Sequence, residues 1–302
     1  MMRVFYSPEY VGSDYAFETT RKAKWVADSL LKSPLLGIEL VEPEPLPPNL
    51  VTAVHDPDYV RAVETGVPRG LAESQGFEWD AGLWPMVLAS NGGAVAAARA
   101  ALEQGVAGSL SSGLHHARHE RGAGYCTFNG LVIAAQAALA AGARSVLILD
   151  LDAHCGGGTE SLIAGEPRIR QLDVSVSSFD SYPTSESAMR AMAGSSSEYL
   201  PTVERMLHEV GRQDHNFDLC VYNAGMDPFE DCPTGGQAGI TRQTLAAREA
   251  MVFEWCDRRR LPIAFVLAGG YLGPSLDECG LVSLHRLTLS AATQSRLTRR
   301  SI

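Results

Sequence analysis

Again and again along the last two thirds of the chain, a short aliphatic or β-branched run ends in polar and glycine residues. A stretch with helical amphipathicity then follows. This alternation restricts the fold more than any other feature, because parallel strands need a crossover between them and the usual crossover is a helix laid on the sheet face. The runs are Ala107 to Leu110, Ser145 to Leu149, Ile169 to Val176, Phe217 to Tyr222 and Pro262 to Leu267, with helices expected near 129–142, 198–211 and 241–258. Arg3 to Tyr6 and Val51 to Val54 are expected to add strands at the front. The expectation is an α/β fold of three layers, a mostly parallel sheet flanked by helices, formed as one domain over residues 1–302. The proline-rich segment Glu42 to Asn49 is too short to separate domains and reads as a surface loop. Gly66 to Gly82 reads as a long loop of the kind that borders sites.

A chain of 302 residues with 45% hydrophobic residues can bury a large core. Its formal charge of −10 and pI near 5.3 argue against direct nucleic-acid binding, which needs clustered Lys and Arg. The six cysteines form no CxxC pair and no dense array, so neither a disulfide framework nor a cysteine zinc site is expected, and a reducing compartment fits. The opening residues lack a signal-peptide run and no stretch of about 18 apolar residues occurs, so the expectation is a cytoplasmic protein with no membrane association.

Chemistry-bearing residues gather where the runs end. Val146-Leu-Ile-Leu-Asp150-Leu-Asp152-Ala-His154 places two carboxylates and an imidazole at the carboxyl end of a buried strand, where open α/β sheets hold ligands. Alternation along an extended chain turns all three to one side. Carboxylate and imidazole suit zinc, although an isolated Asp-x-Asp-x-His is as readily a helix cap. Ser112-Gly-Leu-His115-His116 supplies adjacent histidines, the residue type best poised for acid and base work near neutral pH. Asp218-Leu-Cys-Val-Tyr222-Asn-Ala-Gly-Met-Asp227 ends another strand in a carboxylate, and Ala264-Phe-Val-Leu-Ala-Gly269-Gly270-Tyr271 ends one in paired glycines and a tyrosine. Each has a bland alternative, a helix-start Asp or a core Tyr, but all fall at one edge of one sheet. His119-Glu120 and His208-Glu209 do not complete His-Glu-x-x-His, and Gly156-Gly157-Gly158-Thr159 lacks the lysine of a phosphate loop.

Taken together with His55-Asp-Pro-Asp-Tyr59-Val and Gly122-Ala-Gly124-Tyr125-Cys126-Thr-Phe128-Asn129, these segments in this order resemble the zinc-dependent deacetylases, which include histone deacetylases and acetylpolyamine amidohydrolases. The resemblance runs from about Tyr6 to Tyr271 and is weakest between Gly66 and Val106. It implies the arginase/deacetylase fold, with a twisted sheet, and hydrolysis of an amide to an acyl group on a lysine or other amine. Its metal ligands would be Asp152, His154 and Asp227, holding zinc, or iron in cells. His116 would act as base and acid, His115 paired with Asp150 would give electrostatic support, and Tyr271 would donate to the oxyanion. Gly124, Tyr125, Tyr182 and Gly269 would make up the substrate-binding set, with Tyr125 and Tyr182 lining the channel and Arg21 near its inner end. A structural potassium or sodium ion would sit near Asp150, Asp152, His154 and Ser175. The resemblance leaves a homodimer open.

The sequence departs from the family pattern at Gly157, where an Asp or Asn usually holds the second histidine, and at Gly113-Leu114, where Pro-Gly is common. No side chain at 157 can fix the tautomer of His116, which leaves the task to another group, a water or nothing. Since loss of a carboxylate that orients a catalytic histidine can cost roughly 10⁴-fold, Gly157 points to weak turnover on ordinary acetyl substrates and keeps a non-enzymatic metal-binding module as an alternative. A binuclear-manganese ureohydrolase is the other alternative, suggested by Asp152-Ala-His154, but Gly156 and Met226 stand where its extra carboxylates would be expected.

Overall fold

The computed structural model describes residues 1–15, 18–212 and 216–300. Among the described residues eight strands are formed: β1 Met2–Phe5, β2 Ile38–Val41, β3 Val106–Ser112, β4 Val146–Asp150, β5 Ile169–Ser175, β6 Ala188–Met192, β7 Leu219–Ala224 and β8 Ile263–Leu267. Ten α-helices accompany them: α1 Glu18–Lys32, α2 Pro48–Thr52, α3 Pro57–Thr65, α4 Arg69–Ala72, α5 Leu83–Gln104, α6 Gly130–Ala140, α7 Gly157–Ile163, α8 Ser196–Val210, α9 Arg242–Arg259 and α10 Glu278–Arg300. The strands make one sheet in the order β2-β1-β3-β8-β7-β4-β5-β6, every pairing parallel.

The near-continuous apolar strands are explained by burial on both faces. Val146 and Ile148 of β4, Leu219 and Val221 of β7, and Ala264 and Val266 of β8 pack with α3, α5 and α6. Their alternates Leu147 and Leu149, Cys220 and Tyr222, and Phe265 and Leu267 pack with α1, α8, α9 and α10. The period of two thus divides each strand between two cores and gives the three layers that the alternation predicts.

Two segments differ from the sequence reading. Val51 to Val54 is not a strand: Pro48 opens α2, and the amide of His55 donates to the Val51 carbonyl at 2.9 Å, so Val51 enters the core from a helical turn. The long α5 lies in the stretch where the sequence carries no amphipathic signal, because the sheet on one side and α6 on the other bury the helix almost all round.

Candidate active site

The strand order brings the chemistry together. β3, β8, β7 and β4 are consecutive neighbours, so the segments that leave their carboxyl ends, 113–116, 268–271, 225–227 and 151–154, lie side by side at one edge. Ligand atoms of Asp152, His154 and Asp227 come within 4.8 Å of one another, and these are the one group of three metal-binding side chains of this kind among the described residues. The His154 Nδ1 stands 3.1 Å from Asp152 Oδ1 and 3.1 Å from Asp227 Oδ2. Backbone amides fix the carboxylates: Ala153 N–H donates to Asp227 Oδ1 at 3.0 Å and Gly269 N–H to Asp152 Oδ2 at 2.7 Å. Residue 269 must be glycine, since a Cβ there would lie 2.1 Å from Asp227 Oδ2 and 2.6 Å from Asp152 Oδ2.

This donor set fits a cation. Asp227 Oδ2 is buried and its approach to His154 lacks hydrogen-bonding geometry, which leaves a carboxylate oxygen without a donor among the described residues. Burial and the neighbouring Asp152 push the Asp227 carboxyl up to about 6. Burial opposes charge on His154, yet its two carboxylate neighbours raise it to about 11, so without a metal the site draws a proton into its centre. A divalent ion held by these two carboxylates and one imidazole would meet the same demand.

The adjacent histidines are driven apart in charge. His115 Nδ1 lies 2.7 Å from Asp150 Oδ2; burial alone would lower its pKa, but Asp150 and Asp152 raise it to about 10. His116 is lowered to about 4 by burial and by the charge of His115, whose ring centroid is 4.0 Å away. At neutral pH one is an imidazolium and the other a neutral base. The second oxygen of Asp150 accepts from Asn223 Nδ2 at 2.8 Å and from the Asp152 amide at 3.2 Å. Tyr271 is half-buried; burial first, then Asp227 and Asp152, hold its hydroxyl well above the usual phenol range, so it stays a donor.

Gly157 leaves His116 without a loop carboxylate, and Asp180 fills the gap from the β5–β6 connection, its Oδ2 2.9 Å from His116 Nδ1. No local signal marks Asp180, which lies 64 residues from His116. Gly124 packs against the His116 ring, where a Cβ would come within 2.5 Å of it. Tyr125 is exposed, its ring beside Gly76 in the 66–82 segment, which the sequence reading took for a loop and which carries the short helix α4.

Two expectations are corrected. Tyr182 does not present its hydroxyl to a channel: it is buried and donates to Asp173 Oδ2 at 3.0 Å. Exposed Phe179 lies beside the ligands instead, its ring edge-on to His116 at 5.0 Å and His154 at 5.9 Å. Arg21 is exposed and reaches the Asp14 carbonyl at 3.2 Å, away from the site. One residue on, a rotation of about 100° turns Lys22 inward. It is fully buried, donates to Ser112 Oγ at 3.2 Å, and is lowered to about 8 by burial although Asp152 and Asp227 oppose the fall. At the expected monovalent-ion position, the Ser175 hydroxyl lies 3.0 Å from Cys155 Sγ and 3.2 Å from Met192 Sδ. Beneath Asp150, its strand partner Asp173 is a buried carboxyl that the motif reading missed; burial, then Asp150, raises it to about 8.

Comparison with known proteins agrees with this architecture. The family description "Histone deacetylase domain" matches residues 16–287. An uncharacterized protein of Picosynechococcus sp. is 31% identical over 300 residues, which cover 96% of this chain and 97% of its own. Histone deacetylase 2 of Arabidopsis thaliana is 32% identical over 193 residues, covering 61% of this chain and 49% of that protein. In structure, the chain is similar to an acetylpolyamine aminohydrolase from Burkholderia pseudomallei, with a TM-score of 0.78 at 21% identity over 97% of this chain and 98% of the other. It is likewise similar to the HDA15 HD domain, with a TM-score of 0.77 at 17% identity over 98% and 93%. With a family match across nearly its whole length and a full-length relative above 30% identity, the chain belongs to the histone deacetylase family of hydrolases.

Proposed function

We propose that residues 1–302 form one catalytic domain that hydrolyses the amide of an acyl-lysine or another acylated amine, with zinc, or iron in cells, held by Asp152, His154 and Asp227. The observation that carries this reading is the convergence of those three ligands with two adjacent histidines, His115 and His116, each with its Nδ1 at a carboxylate, at a single sheet edge. A zinc-type ion bound there supplies Lewis acidity that polarises an amide carbonyl. His116, with Nδ1 committed to Asp180, has Nε2 left to take a proton from the attacking water and later return one to the leaving amine. His115, held charged by Asp150, stabilises developing negative charge, and the Tyr271 hydroxyl donates to the oxyanion. Tyr125 and Phe179 would flank the acyl-bearing stem at the mouth. A potassium or sodium ion bound near the Asp150 to His154 backbone would stiffen the ligand turn.

The acetylpolyamine amidohydrolase 2 of Pseudomonas aeruginosa, 27% identical over 189 residues that cover 57% of this chain and 52% of that protein, supports including small acylated amines beside acyl-lysine peptides. The test is amine release by zinc-reconstituted protein from acetyl- and longer-acyl-lysine peptides and acetylpolyamines, beside Tyr271→Phe. Turnover of any of them, with a loss of about 10²- to 10³-fold in kcat for the variant, supports the mechanism. Stoichiometric zinc without turnover of any substrate would refute it.

A further inference from the structure

We propose that Asp180 is the positioning residue of His116, a carboxylate delivered across the site from the β5–β6 connection to stand where the metal-bearing loop has none. The inference rests on the reading of His116 as the proton-transferring group.

Four features converge on it. His116 Nδ1 lies 2.9 Å from Asp180 Oδ2, and the same oxygen accepts the Gly158 amide at 3.1 Å. Arg118 donates to the other oxygen, Oδ1, and its Nη1 reaches the Gly157 carbonyl at 3.2 Å, so one guanidinium joins the carboxylate to the loop it serves. A Cβ on residue 157 would come 2.4 Å from the Asp180 carbonyl and 2.7 Å from its Oδ1, so the missing side chain is the space that Asp180 occupies. Asp180 itself has φ of +56°, in the left-handed region that Asp and Asn enter more readily than other side chains, and its side chain is only 10% exposed. Burial would neutralise this carboxyl, but His116 and Arg118 outweigh it and hold the pKa below the usual range.

An ionised carboxylate on Nδ1 selects the tautomer with the proton on Nδ1 and the lone pair on Nε2, the arrangement a general base requires. Gly157 therefore does not leave His116 unsupported, and on this proposal it carries no loss of turnover of its own. The orienting group has moved to another loop.

The experiment compares the zinc-reconstituted 302-residue wild type with Asp180→Asn, Arg118→Met and Gly157→Ala. It follows amine release on the best substrate of the panel and, separately, ¹⁵N spectra of the histidine side chains. Asn keeps the shape and tolerates the left-handed backbone, so Asp180→Asn is expected to fold and bind zinc as wild type does. Its kcat should fall by about 10²- to 10⁴-fold with KM within about 3-fold, and the Nδ1–H signature of His116 should be lost. Gly157→Ala, which displaces Asp180 without removing any charge, should reduce kcat by at least about 10-fold, and Arg118→Met by about as much. Asp180→Asn that keeps kcat within about 3-fold, or keeps the His116 tautomer unchanged, overturns the proposal. A wild type that hydrolyses nothing, while the His116 tautomer still follows Asp180, removes the hydrolase reading and leaves the pair standing.

Discussion

Arg248 is the largest fully buried side chain of the core, and replacing it with Met should reach the metal site through the fold. Its Nη2 lies 2.7 Å from Glu249 Oε1, and both side chains are out of water, at 0% and 1% exposure. Nη1 donates to the Leu151 carbonyl at 3.1 Å, between Asp150 and Asp152, and to Tyr199 Oη at 3.0 Å. Nη2 also faces Met226 Sδ at 3.7 Å, one residue before Asp227. One guanidinium thus braces two ligand-bearing turns from behind. Glu249 accepts from Tyr222 Oη at 2.6 Å, but its second oxygen has no donor among the described residues, so Arg248 is the partner that balances its charge. Arg248→Met strands that carboxylate and should cost about 3 to 5 kcal/mol, with a fall in Tm of roughly 2 °C per kcal/mol at this size. Arg248→Met/Glu249→Leu removes more interactions, yet it should recover about 2 kcal/mol of the loss because no unpaired charge remains. Urea unfolding followed by far-UV circular dichroism measures both, and zinc titration should show weaker binding in the single variant. A double variant less stable than the single one would sink the reasoning, because the cost would then come from lost packing rather than from a stranded charge.

Two further outcomes follow from geometry and titration. Gly269→Ala sets a methyl against both ligand carboxylates and should weaken zinc binding by about 10- to 100-fold; an unchanged zinc Kd in a chelator competition would refute the crowding argument. His55 is buried, with Nδ1 2.8 Å from the Arg118 carbonyl and Nε2 accepting from the Asn129 amide at 2.9 Å, and burial lowers it to about 4. The unfolded chain takes up a proton at about 6.5 and the folded one only near 4, so its contribution is complete above pH 6.5 and is lost as pH falls through that window. It amounts to about 3 kcal/mol, so His55→Gln should lose about that much less stability than wild type between pH 7 and 4, and parallel pH curves for the two proteins would contradict the assignment.

Elements whose signal is local are legible in the residues alone. The five apolar runs became β3, β4, β5, β7 and β8, because burial on two faces demands continuous hydrophobicity wherever the strand sits. The polar residues at their ends then had to fall on one edge, since parallel strands carry all their carboxyl ends to the same side, and this is why Asp152, His154 and Asp227 come together. Helical phase was not readable: Arg21 and Lys22 are adjacent cations, and only the packing of α1 turned the second one inward. Nor was the inward turn of Tyr182, whose hydroxyl donates to Asp173 while neighbouring Phe179 lies edge-on to His116. Asp180 shows the limit most directly. Its partners His116 and Arg118 lie more than 60 residues away, no spacing rule links them, and the contact forms only where the segments leaving β3 and β5, with three strands between them in the sheet, meet over its edge. Local periodicity chose the strands and the chemistry at their ends, and long-range packing decided which carboxylate serves which histidine.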